Sequence, residues 1–144
     1  MSLAYQVFAE GSIDLVLASS FISHVELAWT TPQLKSWYDR LGSFCRVLLF
    51  DKAGVGLSDL VPKVRSIDDR AAEIEAVMDA AGFTSAAVMG LSEGGPAAIW
   101  FAATRPERVK ALILTGTFAY SGLSWDDADS DPDQVAERLR FDGR

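Results

Sequence analysis

One cysteine, Cys45, and one histidine, His24, are all that 144 residues contain of either type. A single cysteine excludes an internal disulfide framework and leaves no CxxC pair for zinc. Basic clusters are also missing. The formal net charge is −7, which argues against a face built for nucleic acid or an anionic membrane. The longest apolar stretch, residues 13–22, is broken by Asp14, Ser19 and Ser20 and is too short to span a bilayer. It lacks the basic leader of a signal peptide, so a reduced, cytoplasmic compartment is the expectation. No metal site and no cofactor are expected.

What remains is an ordinary globular composition, 49% hydrophobic and 23% charged, long enough for one domain with a sizeable core. Short β-branched runs alternate with segments of helical period. Residues 13–18, 46–50, 85–89 and 109–114 read as strands, and the second of these is apolar nearly throughout, as a strand buried on both faces requires. Between them, residues 32–44 carry Leu34, Trp37, Tyr38 and Leu41 at helical spacing, opened by Thr31 and Pro32. A second helix opens on Ser66-Ile67-Asp68-Asp69, a variant of the capping box. It then places Ile67, Ala71, Ile74, Met78 and Ala81 on one face before Gly82. A third, residues 96–104, is apolar nearly all round. Residues before Phe8 add a short edge strand. The pattern predicts an α/β fold, a mostly parallel sheet flanked by helices. The buried layer expected between the central helix and the sheet comprises Leu48, Val88, Ala97, Ile99, Phe101 and Ile113.

After Tyr120 the composition changes. Asp126, Asp127, Asp129, Asp131 and Asp133 crowd together, followed by Val135, Leu139 and Phe141. The Asp spacing resembles a calcium loop, but Pro132 stands where the loop needs glycine and Arg138 where it needs glutamate. A solvated acidic turn is the better reading. Residues 1–120 are therefore taken as the core and residues 121–144 as an acidic linker or the start of a cap region.

The chemistry points to Gly90-Leu91-Ser92-Glu93-Gly94, a G-x-S-x-G sequence between a strand and a buried helix. Such a turn lifts the serine above the sheet, and small residues two before and two after let neighbouring backbones approach. The following helix aims N–H groups and a positive partial charge at the place where an oxyanion would form. Ser92 is thus the candidate nucleophile and the Glu93 N–H a candidate oxyanion donor, with Gly90 and Gly94 as the elbow glycines.

Three segments together resemble the α/β-hydrolase superfamily: this elbow, the loop Asp51-Lys52-Ala53-Gly54-Val55-Gly56-Leu57-Ser58, and the end of the first core strand. Arg105-Pro106-Glu107-Arg108-Val109 is similar to the family's link into its next strand. Residues 4–8 and 77–82 resemble bacterial members sometimes fused to class III adenylyl or guanylyl cyclase domains. The resemblance implies that Phe21 supplies the second oxyanion donor, behind Ser19-Ser20 where the family has a glycine. It implies that Ala53 replaces a loop arginine and that Asp51 anchors the loop. The family's triad runs serine, acid, histidine along the chain, so the C-terminal strands that carry the last two are lacking. His24 precedes the serine and reads as a loop histidine at the pocket mouth. Asp126 follows it but has no histidine to orient.

The resemblance implies two candidate functions. The first is serine hydrolysis of an ester, thioester or similar acyl bond in a small molecule, and a serine at this point excludes the branches that use a carboxylate nucleophile. The second is a non-catalytic, hydrolase-like sensory or docking domain linked to a cyclase. An uncovered last strand is expected to favour self-association through the sheet edge.

Overall fold

The computed structural model describes residues 1–63 and 65–119. The acidic segment, with Asp126 and the candidate calcium spacing, lies outside the described residues. The strands are β1 (Tyr5–Phe8), β2 (Ile13–Ala18), β3 (Cys45–Phe50), β4 (Ala86–Leu91) and β5 (Val109–Thr115). The helices are α1 (Pro32–Gly42), α2 (Ile67–Ala80) and α3 (Gly94–Thr104). The strands form one sheet in the order β1-β3-β2-β4-β5. β1 runs antiparallel to β3, pairing Tyr5 with Phe50 and Phe8 with Val47; every other pairing is parallel.

Local chemistry accounts for the helices. Ser66 accepts from the Asp69 N–H at 3.1 Å while the Asp69 carboxylate accepts from the Ser66 N–H at 3.3 Å, so the capping box closes at the start of α2. Gly82, at φ +70°, supplies the left-handed residue that ends it. Thr31 precedes α1 without a side-chain cap, and Pro32 alone sets the entry.

The two faces of the sheet build separate cores. On one, α2 and α3 pack Ile74, Val77, Met78, Ala97, Ala98 and Phe101 against Val16, Leu48 and Val88. On the other, α1 brings Tyr38 to Leu15, Leu17, Val47 and Leu49. Phe8 meets Trp29 edge-on there, with ring centroids 4.8 Å apart. Cys45 is buried, and burial pushes its thiol above the ordinary range, so it is no competing nucleophile.

The expected buried layer needs correction at two positions. Ile99, on α3, is half-buried, and Ile113 is 41% exposed because β5 is one of the two edge strands among the described residues. Leu112 and Leu114 beside it are likewise 38% and 45% exposed. Phe101, fully buried, is the residue whose truncation should matter: Phe101→Ala is expected to cost about 3–5 kcal/mol. Ile113→Ala, measured in the same chemical denaturation series, should cost well under half of that. Trp100 also departs from the all-buried expectation for α3. It is 40% exposed and donates its indole N–H to Asp68 at 2.7 Å.

Among the described residues no helix is long and apolar enough to cross a membrane. The connections between strands place the site. β2 leads through α1 to β3 on one side of it, whereas β4 leads through α3 to β5 on the other. The chain therefore leaves the C-terminal ends of the adjacent strands β2 and β4 in opposite directions. A crevice opens at such a switch point.

Candidate active site

Ser92 stands at that crevice, between the end of β4 and the start of α3. Its φ is +49°, in the left-handed region that a side chain other than glycine's enters at a cost of roughly 1–3 kcal/mol. The turn is held on both sides: the Ser92 N–H donates to the Thr115 carbonyl at 3.0 Å. The Ser92 carbonyl accepts from the Gly95 N–H at 3.1 Å and from the Thr117 hydroxyl. The bonds to residues 115 and 117 tie the turn to the last residue of β5 and to the chain just after it.

The glycines around Ser92 are there for space. A Cβ on Gly90 would lie 2.7 Å from the Gly95 Cα and 2.9 Å from the Ala98 Cβ. One on Gly94 would strike the carbonyls of Ala18 and Ser19 at the end of β2. The elbow thus presses directly against the loop that carries Ser19, Ser20 and Phe21, and the two candidate oxyanion loops share one crevice.

Asp51, at the end of β3, is fully buried and spends its carboxylate on the loops. It accepts from the Ser23 hydroxyl at 2.7 Å, the Val25 N–H at 3.1 Å and the Leu57 N–H at 3.0 Å. A carboxylate with three donors from loop atoms ties the segment after β2 to the segment after β3. Gly56, at φ +57°, leaves room for it.

Between Phe21 and Glu93 lies a cavity of about 790 Å³, lined also by His24, Leu27, Lys52 and Arg70. Ser92 is exposed and is not among its lining residues; its neighbour Glu93 is. His24 lines the same cavity, but its Nδ1 accepts from the Leu27 N–H at 3.2 Å. Among the described residues no hydrogen bond joins His24 to Ser92. No group of described residues has the His, Cys, Asp and Glu content of a metal site.

Several groups at this crevice are invisible to sequence reasoning. The Glu93 side chain pairs with both Lys52 and Arg70. Glu73, 3% exposed on α2, accepts from the Ala53 N–H at 3.2 Å and pairs with Arg65 at 3.3 Å. Burial pulls the Lys52 ammonium below the ordinary lysine range, with Arg70 adding to the effect, against Glu93 and Glu73, which favour its charge.

Comparison with known proteins agrees with this geometry. Residues 34–142 match the family model for the alpha/beta hydrolase fold. A Caulobacter segnis protein named as a carbamate hydrolase is 35% identical over 103 residues, 70% of this chain and 37% of that protein. A 2-hydroxy-6-oxononadienedioate/2-hydroxy-6-oxononatrienedioate hydrolase of Paraburkholderia phymatum is 40% identical over 72 residues, 49% of this chain and 25% of its own length. The crystal structure of a hydrolase from Pseudomonas aeruginosa superposes with a TM-score of 0.75 at 25% identity, covering 97% of this chain and 49% of that one. The chain spans well under half the length of these two curated relatives. With the elbow, the switch-point crevice and the family match in agreement, the chain belongs to the alpha/beta hydrolase fold family.

Proposed function

We propose that this chain is the N-terminal half of a serine hydrolase that cleaves an ester, thioester or similar acyl bond, with Ser92 as nucleophile. The observation that supports this most is the left-handed Ser92 backbone at a strand-to-helix turn. A non-glycine residue persists there only where the surroundings over-determine it, and such strain concentrates at functional sites. In this reading Ser92 Oγ attacks the acyl carbon, and the carbonyl electrons move to oxygen. The N–H groups of Glu93 and Phe21 hold that oxyanion. Collapse of the tetrahedral species expels the alcohol or thiol and leaves an acyl-Ser92, which water then cleaves to the free acid.

The proton on Ser92 needs a base. We assign that role to a histidine, oriented by an acid, on a C-terminal half corresponding to the remainder of the longer relatives. The carbamate and dienedioate hydrolases among those relatives widen the candidate substrates beyond simple esters.

A second reading, the non-catalytic domain linked to a cyclase, draws on one observation: the described residues give Ser92 no histidine partner. One experiment separates the two. The chain is completed with a family C-terminal half bearing the acid and histidine, and turnover of p-nitrophenyl acetate is compared with that of its Ser92→Ala variant. The hydrolase reading expects Ser92→Ala to lower turnover by a factor of about 10³ or more. Equal rates in the two proteins would leave the non-catalytic reading.

A further inference from the structure

Two peptide groups would supply the oxyanion donors, Ser20–Phe21 and Ser92–Glu93. A peptide is planar and trans, so its N–H points opposite to its carbonyl, and no cis bond occurs among the described residues. Whatever grips the carbonyl therefore aims the N–H. The Ser92 carbonyl is gripped by the Gly95 N–H and the Thr117 hydroxyl. The Ser20 carbonyl accepts from Lys52 Nζ at 3.2 Å.

The same ammonium does two further things. It lies 5.4 Å from the centroid of the Phe21 ring, within reach of a cation–π attraction. It also pairs with the Glu93 carboxylate, which Arg70 holds from the other side while donating to the Glu93 carbonyl at 3.2 Å. The side chains of Lys52, Glu93 and Arg70 are only 15–19% exposed. One cation thus touches the loop after β2 and the turn after β4, the two walls of the crevice.

We propose that Lys52 is a positioning residue that sets the oxyanion hole: it fixes the Ser20–Phe21 peptide through its carbonyl and locks that loop to the elbow through Glu93. The proposal rests on the serine-hydrolase reading and adds to it the group that aligns its second donor. A cation on the Ser20 carbonyl also polarises the peptide and strengthens its N–H as a donor. The groups facing Lys52 are Glu93 from the elbow, Arg70 and Glu73 from α2, and the Phe21 ring. Its pKa lies below the ordinary lysine range, so the charged latch is present below that depressed pKa. It is lost as pH rises through it.

The test uses the completed protein, with Lys52→Met, Lys52→Arg and Ser92→Ala, each checked for folding by its thermal transition. Because the hole acts on the transition state, Lys52→Met should lower kcat on p-nitrophenyl acetate by about 10–100-fold and leave KM within about threefold. The parent kcat should fall on the alkaline side, corrected for background ester hydrolysis. Lys52→Arg should restore most of the rate and lose that alkaline fall, since a guanidinium keeps its proton there. An unchanged kcat in Lys52→Met beside a dead Ser92→Ala would overturn the latch and leave the hydrolase reading standing. Turnover that survives Ser92→Ala, or is absent from the parent, would overturn both. If Lys52→Met does not fold, Lys52→Arg decides: an alkaline limb identical to the parent's overturns the proposal.

Discussion

Supplying a histidine and an acid on a C-terminal half is expected to raise hydrolysis of an activated ester by about 10²–10⁴-fold over the 144-residue chain alone, the range a general base contributes. A serine hydroxyl is a weak nucleophile at neutral pH and needs a base to take its proton as it attacks. His24 is poorly placed to do so. Its Nδ1 is occupied by the Leu27 N–H, and no hydrogen bond among the described residues links it to Ser92. The chain alone should therefore turn over p-nitrophenyl acetate slowly or not at all, and His24→Ala should not change that rate. Brisk turnover by the chain alone, abolished in His24→Ala, would make His24 the base.

The second large effect is expected at Gly94. A Cβ there meets the carbonyl oxygens of Ala18 and Ser19, backbone atoms at the end of a central strand. Backbone in the middle of a sheet does not yield as a flexible side chain would, so the elbow must move away from β2. Gly94→Ala is expected to destabilise the fold by about 1–3 kcal/mol. In the completed protein it should lower kcat by about 10²-fold or more, since separating the loops pulls one oxyanion donor out of place. Gly82→Ala is the control. Gly82 also has a positive φ, +70°, but a Cβ there meets nothing within 4 Å, so it should cost about 1 kcal/mol through backbone strain alone. Denaturant midpoints together with kcat separate the two. A Gly94→Ala protein with parental kcat would show that the contact between the elbow and β2 does not shape the site.

What is legible in the sequence is local. The run from Arg46 to Phe50, the capping box at Ser66 and the strand–glycine–helix context of Ser92 each write their structure into a few adjacent residues. Strand boundaries differ from the sequence pattern by a residue or two, with β3 starting at Cys45 and β4 reaching Leu91, because hydrogen bonding to neighbouring strands sets those ends. Asp51 as a loop anchor is legible through the family loop it belongs to. The groups that brace the crevice are not. Lys52 and Glu93 are 41 residues apart, and Arg70 reaches Glu93 from a different helix. Charged residues at such separations look like ordinary surface charge until the sheet brings the ends of β3 and β4 to one crevice. Glu73 sits beside an apolar helical stripe with no sequence sign that it is buried. Ile113 reads as core by its composition and is exposed because its strand is an edge, a property of its neighbours and not of its own segment.

That Ser92 is an activated nucleophile facing an oxyanion hole is tested most directly by labelling the completed protein with a fluorophosphonate and mapping the adduct by peptide mass spectrometry. A single label on Ser92 is expected, formed only when the C-terminal histidine is present and strongly slowed in Gly94→Ala. A label on another residue, or an unlabelled Ser92 in a protein that still hydrolyses esters, would contradict it.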